Sequence, residues 1–501
     1  MGRGRRPPWG LRQLRRSPGG PFWRTMREVR HVRDGRRALL PRVRQACGIL
    51  NFRTCSADPR GAPAQYKYHP VGREAHGSVA HADDESWLNR LGPGIVTGAA
   101  DDDPSGIATY SQAGAKFGFT LLWTVVLTYP LMVAIQLVSA RIGQVTGHGL
   151  ATNIRRHYPS WLLHGVVALL VVANTINIAA DLAAMADALK LVIGGPARLY
   201  VVVFGLVSVG LQILVPYQRY VRFLKWLTLA LLGYVATAFL VEIPWGEVLS
   251  RTLVPQVAWS SETVTMIVAI FGTTLSPYLF FWQASQEVEE QKADPAAKPL
   301  RHSKMNRVMM VLKRVRMDTA LGMAFSNLVA LFIIVTTAAT LHANGVTSIE
   351  TSAQAASALR PIAGEFAFML FSLGIIGTGL LAIPVLAGSA AYAMAGTFRW
   401  RNSLELKPSA AIKFYAIIAT STLAGVGLNF FALDPIKALF WSAVINGAIS
   451  VPIMLVMMLL VSRADVMGKL TPSSTLLVAG WLATAVMGAA VAAMAWTTLF
   501  N

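Results

Sequence analysis

Cysteine, acidic residues and charge of either sign within the body of the chain are all scarce. The 501 residues include two cysteines, Cys47 and Cys55, both near the start, so neither a disulfide framework nor a thiolate metal centre is expected. Charged residues make up 14% of the chain, whereas a soluble globular protein carries about a quarter. Asp and Glu number 25 against 45 Lys and Arg. An imbalance of that size raises nucleic-acid binding, but its placement argues against it. Sixteen arginines stand in residues 1–60, opposed only by Glu28, Asp34 and Asp58, and most other basic residues lie between apolar runs. No compact apolar stretch with a cleavage site follows the early arginines, so no signal peptide is expected. Arg6 stands where an N-myristoylation pattern wants Ser or Thr.

What is abundant is apolar sequence, at 54%. Roughly 20 apolar residues cross a hydrocarbon core, and runs such as 162–180 hold no charged side chain. The chain reads as an all-α membrane protein. Residues 1–88 read as a basic, disordered tail, either solvated or bound to anionic lipid head groups, with an organellar transit peptide less favoured. Eleven helices are predicted at 92–114, 119–141, 161–194, 198–216, 222–242, 263–286, 317–342, 363–396, 411–431, 436–462 and 473–499. Ten form a transporter core over 89–470, and the eleventh falls in 471–501. With the N-terminus cytoplasmic, the inner loops carry twenty Lys and Arg and the outer loops five. That bias follows the positive-inside rule and predicts a C-terminus outside, in a membrane of the bacterial inner type.

Two spans are interrupted. The first runs Gly98-Ala99-Ala100-Asp101-Asp102-Asp103-Pro104-Ser105-Gly106. Ionisable groups inside a membrane are costly and mark function. Pro104 donates no N–H and disfavours helix at Asp103, so the chain is expected to unwind and free carbonyls beside carboxylates. Hard oxygens on a flexible backbone suit Mg²⁺, Mn²⁺ or Ca²⁺. The sixth span has Gly272-Thr273-Thr274-Leu275-Ser276-Pro277-Tyr278. Breaks in the first and sixth of ten helices fit two five-helix halves with a site between them at the midplane, although a Gly-Pro pair alone is equally consistent with a kink.

These residues resemble the Nramp family of divalent-metal transporters. Its first-helix signature, Asp-Pro-Gly-Asn, then Ala-Thr, then Gln-Ala-Gly-Ala, corresponds to Asp103-Pro104-Ser105-Gly106, Ala108-Thr109 and Gln112-Ala113-Gly114-Ala115. The likeness continues through Leu121-Leu122-Trp123, Ser139-Ala140-Arg141, Tyr158-Pro159 and Ala180-Asp181-Leu182-Ala183. It implies a LeuT-like 5+5 inverted repeat with an eleventh helix, working by alternating access. It also implies metal ligands at Asp103, Gly106, the Thr273 carbonyl and Ser276. Gly106 replaces the family's Asn, and Ser276 replaces the Met whose thioether favours softer metals. Smaller, harder groups leave room for a hydrated ion, and the pattern resembles the Nramp-related magnesium transporter branch.

The family's proton-relay positions fall on Ala184, Asn174, Tyr278 and Gln283, leaving Asp181 as a single acid that is either functional or a hydrogen-bonded structural group. Uncoupled movement of Mg²⁺ or Mn²⁺ is therefore expected. Asp101 and Asp102 are candidates for outer-shell contact with a hydrated cation or for concentrating cations at the entry. Asn446 faces either the cavity or another helix. The competing readings are a proton-coupled Mn²⁺/Fe²⁺ importer, an amino-acid carrier of the same fold, and a membrane enzyme or sensor. Three aspartates contradict a carboxylate-binding carrier, and no catalytic motif is seen. No cofactor is expected; the divalent cation is cargo.

Overall fold

The computed structural model describes residues 93–215, 228–255, 259–293, 298–431 and 434–500. The basic tail and the loop bearing Arg219, Arg222 and Lys225 lie outside these residues. Among the described residues there are helices and no strands. The first span is two helices, α1 (Pro93–Asp101) and α2 (Pro104–Phe117). There follow α3 (Leu122–Thr146), the short α4 (Leu150–His157), α5 (Ser160–Ile193) and α6 (Ala197–Leu214). The fifth span is described only over Thr228–Leu231 and α7 (Leu232–Leu240), and α8 (Trp245–Leu253) links it onward. The sixth is again divided, into α9 (Ser261–Thr274) and α10 (Pro277–Ala293). The chain ends with α11 (Met305–Thr340), α12 (Ala367–Phe398), α13 (Ile412–Leu428), α14 (Pro435–Val461) and α15 (Ser474–Phe500).

Nine of the described segments are long and apolar enough to cross a membrane, counting α9 and α10 together. The first span escapes that count because each half is too short, and the fifth because part of it is not described. Both breaks have a proline at the first position of the second half-helix, where its missing N–H costs nothing. The helix expected to start near 317, α11, begins about three turns earlier, at Met305. Its early turns carry the basic loop and expose Met309 and Met310 at 59% and 70%, so apolar content alone could not reveal them.

Polarity is inverted relative to a water-soluble bundle. Val126, Val172, Leu206, Leu482 and Trp496 point outward, while Thr124, Gln136, Asn174, Asp181 and Ser208 are buried. Lipid solvates the first set, and helix–helix contacts must satisfy the second. α5 packs on α12 and α14, α9 on α14, and α1 on α11. At that last seam the backbones nearly touch. A Cβ at Gly98 would stand 2.2 Å from the Gly322 carbonyl oxygen, so no side chain fits there. The N–H of Gly94, one turn earlier, donates to Asp318 Oδ2 at 2.6 Å.

The ends expected to be cytoplasmic gather on one side. Gly147 and His148 after α3, Lys292 at the end of α10 and Asn402 after α12 surround one polar cavity. Arg155 donates to the Gly396 carbonyl nearby. Elsewhere Lys116, ending α2, pairs with Glu262 at the start of α9, at 2.8 Å.

Candidate metal site

Asp103 sits in extended backbone between α1 and α2 and caps α2. Its Oδ1 accepts from the Gly106 N–H at 2.8 Å and the Ser105 hydroxyl at 2.6 Å. Its Oδ2 accepts from the Asn177 amide of α5 at 2.9 Å and faces the Tyr278 hydroxyl at 3.4 Å. A carboxylate so placed also lies at the positive end of the α2 dipole. Four donors from three segments therefore hold one charged group at the break. Tyr278 additionally reaches the Ala100 carbonyl at 3.2 Å, which joins the two divided spans directly.

Gly106 lies against this group. A Cβ built there would meet Tyr110 at 3.4 Å, the Asp101 carbonyl at 3.5 Å and Asp103 Oδ1 at 3.6 Å, all ordinary contacts. The Tyr110 hydroxyl lies 2.8 Å from Thr273 Oγ1, carrying the cluster across to α9. The Ser276 hydroxyl turns back to the Gly272 and Thr273 carbonyls, at 2.8 and 2.7 Å. The Thr273 carbonyl is thus present at the break but already engaged.

Asp101 and Asp102 point elsewhere. Their oxygens share the Ser326 hydroxyl of α11, at 2.6 Å to Asp101 Oδ2 and 3.0 Å to Asp102 Oδ1. Asn446 is buried on α14 with Oδ1 lacking a hydrogen-bond partner; no hydrogen bond among the described residues ties it to the other seven. All three aspartates, Thr273, Ser276 and Tyr278 expose 2% or less. The cluster is therefore buried, and movement is needed for anything to enter or leave it.

Sequence reasoning missed two participants, Asn177 and Ser326. Asn177 stands one helical turn before Asp181 on the same face of α5, and that spacing was its available signal. Asp181 is fully buried, with neither carboxylate oxygen hydrogen-bonded; of the two expectations for it, the hydrogen-bonded structural group does not hold. Ser326 had no local signal. A polar ladder also leads away from the break: Thr97 donates to Gln283, Gln283 to Glu287 at 2.8 Å, Gln144 to the other Glu287 oxygen at 2.7 Å, and Gln291 to the Gln144 carbonyl at 3.1 Å. Asn174, at a relay position, instead fastens α5 to α12 through the Leu386 carbonyl and Ser389, both at 2.8 Å.

Chemically, the break offers carboxylate, hydroxyl and carbonyl oxygens, a hard set suited to a small divalent cation. Comparison with known proteins agrees in kind. The Nramp family model, described as natural resistance-associated macrophage protein-like, matches residues 94–497. The divalent metal cation transporter MntH of Klebsiella pneumoniae (strain 342) is 28% identical over 410 residues, covering 80% of this chain and 92% of that protein. A protein of the same description from Yersinia enterocolitica is 30% identical over 353 residues, covering 67% and 81%. Among solved structures, a manganese transporter of Eremococcus coleocola superposes with a TM-score of 0.62 at 18% identity, covering 83% of this chain and 88% of that one. The expected architecture, an all-α membrane protein of LeuT-like 5+5 inverted repeat with an eleventh helix, stands.

Proposed function

The chain belongs to the Nramp family, and from that premise we propose that it carries a divalent metal cation across the membrane by alternating access, importing Mg²⁺ and also Mn²⁺ without a coupled proton. The observation that carries the reading is the Asp103 carboxylate, buried at the break and fixed by donors from α2, α5 and α10. Gly106, the Thr273 carbonyl, Ser276, Tyr278 and Asn446 complete the proposed lining, with Asp101 and Asp102 holding part of the ion's water shell. Ser276 supplies a hydroxyl where the family's thioether is expected, and position 106 is left without a side-chain oxygen. Both changes favour a hard, partly hydrated ion.

The proposed setting is a bacterial inner membrane with the N-terminus cytoplasmic, the basic tail lying on anionic lipid and the C-terminus outside. A cytoplasm-negative potential then drives entry, at roughly 2.3 kcal/mol per charge per 100 mV. Proton coupling is disfavoured because Asn174, Tyr278 and Gln283 replace titratable residues at the relay positions. One observation favours the second reading, a proton-coupled Mn²⁺/Fe²⁺ importer: Asp181 is buried with both oxygens free of hydrogen bonds and so is available to a proton.

Purified protein in liposomes decides between them, with Mg²⁺ and Mn²⁺ influx and internal pH followed together. Mg²⁺ entry without internal acidification is expected. Acidification that tracks metal entry, with leak excluded, selects the second reading. Full uptake in Asp103→Ala removes the site from both.

A further inference from the structure

The aspartate triplet divides into two unlike environments. Asp103 has donors on both oxygens, as described above. Asp101 and Asp102 have one donor between them, the Ser326 hydroxyl, and that hydroxyl has one proton. Whichever carboxylate receives it, the other faces a lone pair at hydrogen-bond distance. Asp101 Oδ1 and Asp102 Oδ2 have no hydrogen-bond partner at all. Both residues are buried, at 1% and 2% exposure, and no Lys or Arg among the described residues is ion-paired with either. Buried like charges in this condition are costly, and either a bound cation or uptake of a proton relieves them.

The spacing of the Ser326 oxygen, that of ordinary hydrogen bonds, also admits a cation. Mg²⁺ bonds its oxygens at 2.0–2.1 Å in an octahedron, so neighbouring ligand oxygens stand about 2.9 Å apart. The Ser326 oxygen lies 2.6 and 3.0 Å from the two carboxylate oxygens, and two further carboxylate oxygens are uncommitted. Ser326 is also held in place by the seam between α1 and α11. Gly94 meets Asp318 and Gly98 meets Gly322, and one turn further the acidic pair meets Ser326. The helices thus keep register turn by turn, which presents a hydroxyl to the carboxylates from a fixed backbone.

We propose that Asp101, Asp102 and Ser326 form a second divalent-cation position, separate from Asp103, on the α1/α11 side of the break. It rests on the reading of the chain as a divalent-cation carrier and replaces the outer-shell role of the two aspartates with direct coordination. The test uses the purified full-length protein, titrated with Mg²⁺ by calorimetry and by thermal unfolding, with uptake measured in liposomes. Asp101→Asn/Asp102→Asn is expected to lose one Mg²⁺ equivalent and to unfold at a higher temperature than the parent without Mg²⁺, because the uncompensated charges are gone. Ser326→Ala is expected to weaken that equivalent roughly tenfold, and Ser326→Thr to restore it.

Retention of the equivalent in the double variant overturns the proposal. So does a lower melting temperature without Mg²⁺ combined with an unchanged response to it, because that is the behaviour of a purely structural clasp. If the double variant does not fold, Asp102→Asn and Ser326→Ala are read singly for affinity, and unchanged affinity in both overturns the proposal. Asp103→Asn separates this outcome from the wider reading. It is expected to lose the other equivalent and most uptake; full uptake there defeats the carrier site itself, whatever the second position does.

Discussion

At the break between α1 and α2 the side chain works forward: Asp103 accepts from Gly106 and so caps the helix that follows. At the break between α9 and α10 it works backward, and Ser276 donates to the Gly272 and Thr273 carbonyls of the helix just ended. Both places use a proline to open the helix, yet they leave different chemistry exposed. The first presents negative charge stabilised by a helix N-terminus. The second presents carbonyl oxygens whose availability depends on where one hydroxyl proton points. On the proposed reading, two halves of a repeat share a backbone device while dividing the labour: one break attracts a cation, and the other tunes how tightly it is gripped.

The most direct way to break that division is at Asp103. Asp103→Ala removes charge and cap together, and Mg²⁺ uptake by liposomes is expected to fall roughly 100-fold, with about 1 kcal/mol of stability lost from the cap. Asp103→Asn keeps an acceptor for Gly106 and should lose nearly as much uptake. If it transports normally, charge is not what the first break contributes.

Restoring the family's pattern tests the second half. Gly106 has room for a Cβ, so Gly106→Asn with Ser276→Met is expected to raise the preference for Mn²⁺ over Mg²⁺ roughly tenfold, through an amide oxygen and a softer thioether. An unchanged ratio in paired uptake assays would place selectivity elsewhere. Ser276→Ala alone is gentler. It removes a donor from two carbonyls, and the melting curve should record a loss of about 1 kcal/mol, with uptake altered by less than about threefold.

The smallest effect is a control away from both breaks. Burial, then Arg156, Lys292, Arg155 and Arg301, hold His148 below its ordinary value of 6.5. As pH falls through 6.5, the unfolded chain takes up a proton that the folded one resists, so stability declines; above 6.5 both forms are neutral and the effect vanishes. His148→Gln should flatten this acid slope in thermal unfolding. A slope that persists in full belongs to other groups, the break carboxylates among them.

The breaks were legible because proline and aspartate act locally: Pro104 and Pro277 dictate where helix stops, whatever surrounds them. The orientation of a uniformly apolar helix is not local. On α5 and α11 the apolar residues favour no one face, so little in the pattern tells which side turns inward, and Asn177 and Ser326 appear as partners only once packing chooses that face. Asn446 shows the converse. It was conspicuous as a polar residue in α14, yet no hydrogen bond joins it to the cluster. The Glu287 ladder was hidden for a third reason, since its members come from α1, α3 and α10, and no single stretch of sequence contains it.

The close seam between α1 and α11 also bears on timing. Gly94 on Asp318, Gly98 on Gly322 and the acidic pair on Ser326 engage at successive turns. A lever gripped along its whole length cannot be loosened from one end by degrees. If α1 swings alone, all three contacts are lost nearly at once; if it does not, α11 travels with it as a single body. Under the proposed alternating access the switch is abrupt in either case, because tightly packed surfaces have two resting places and little between them.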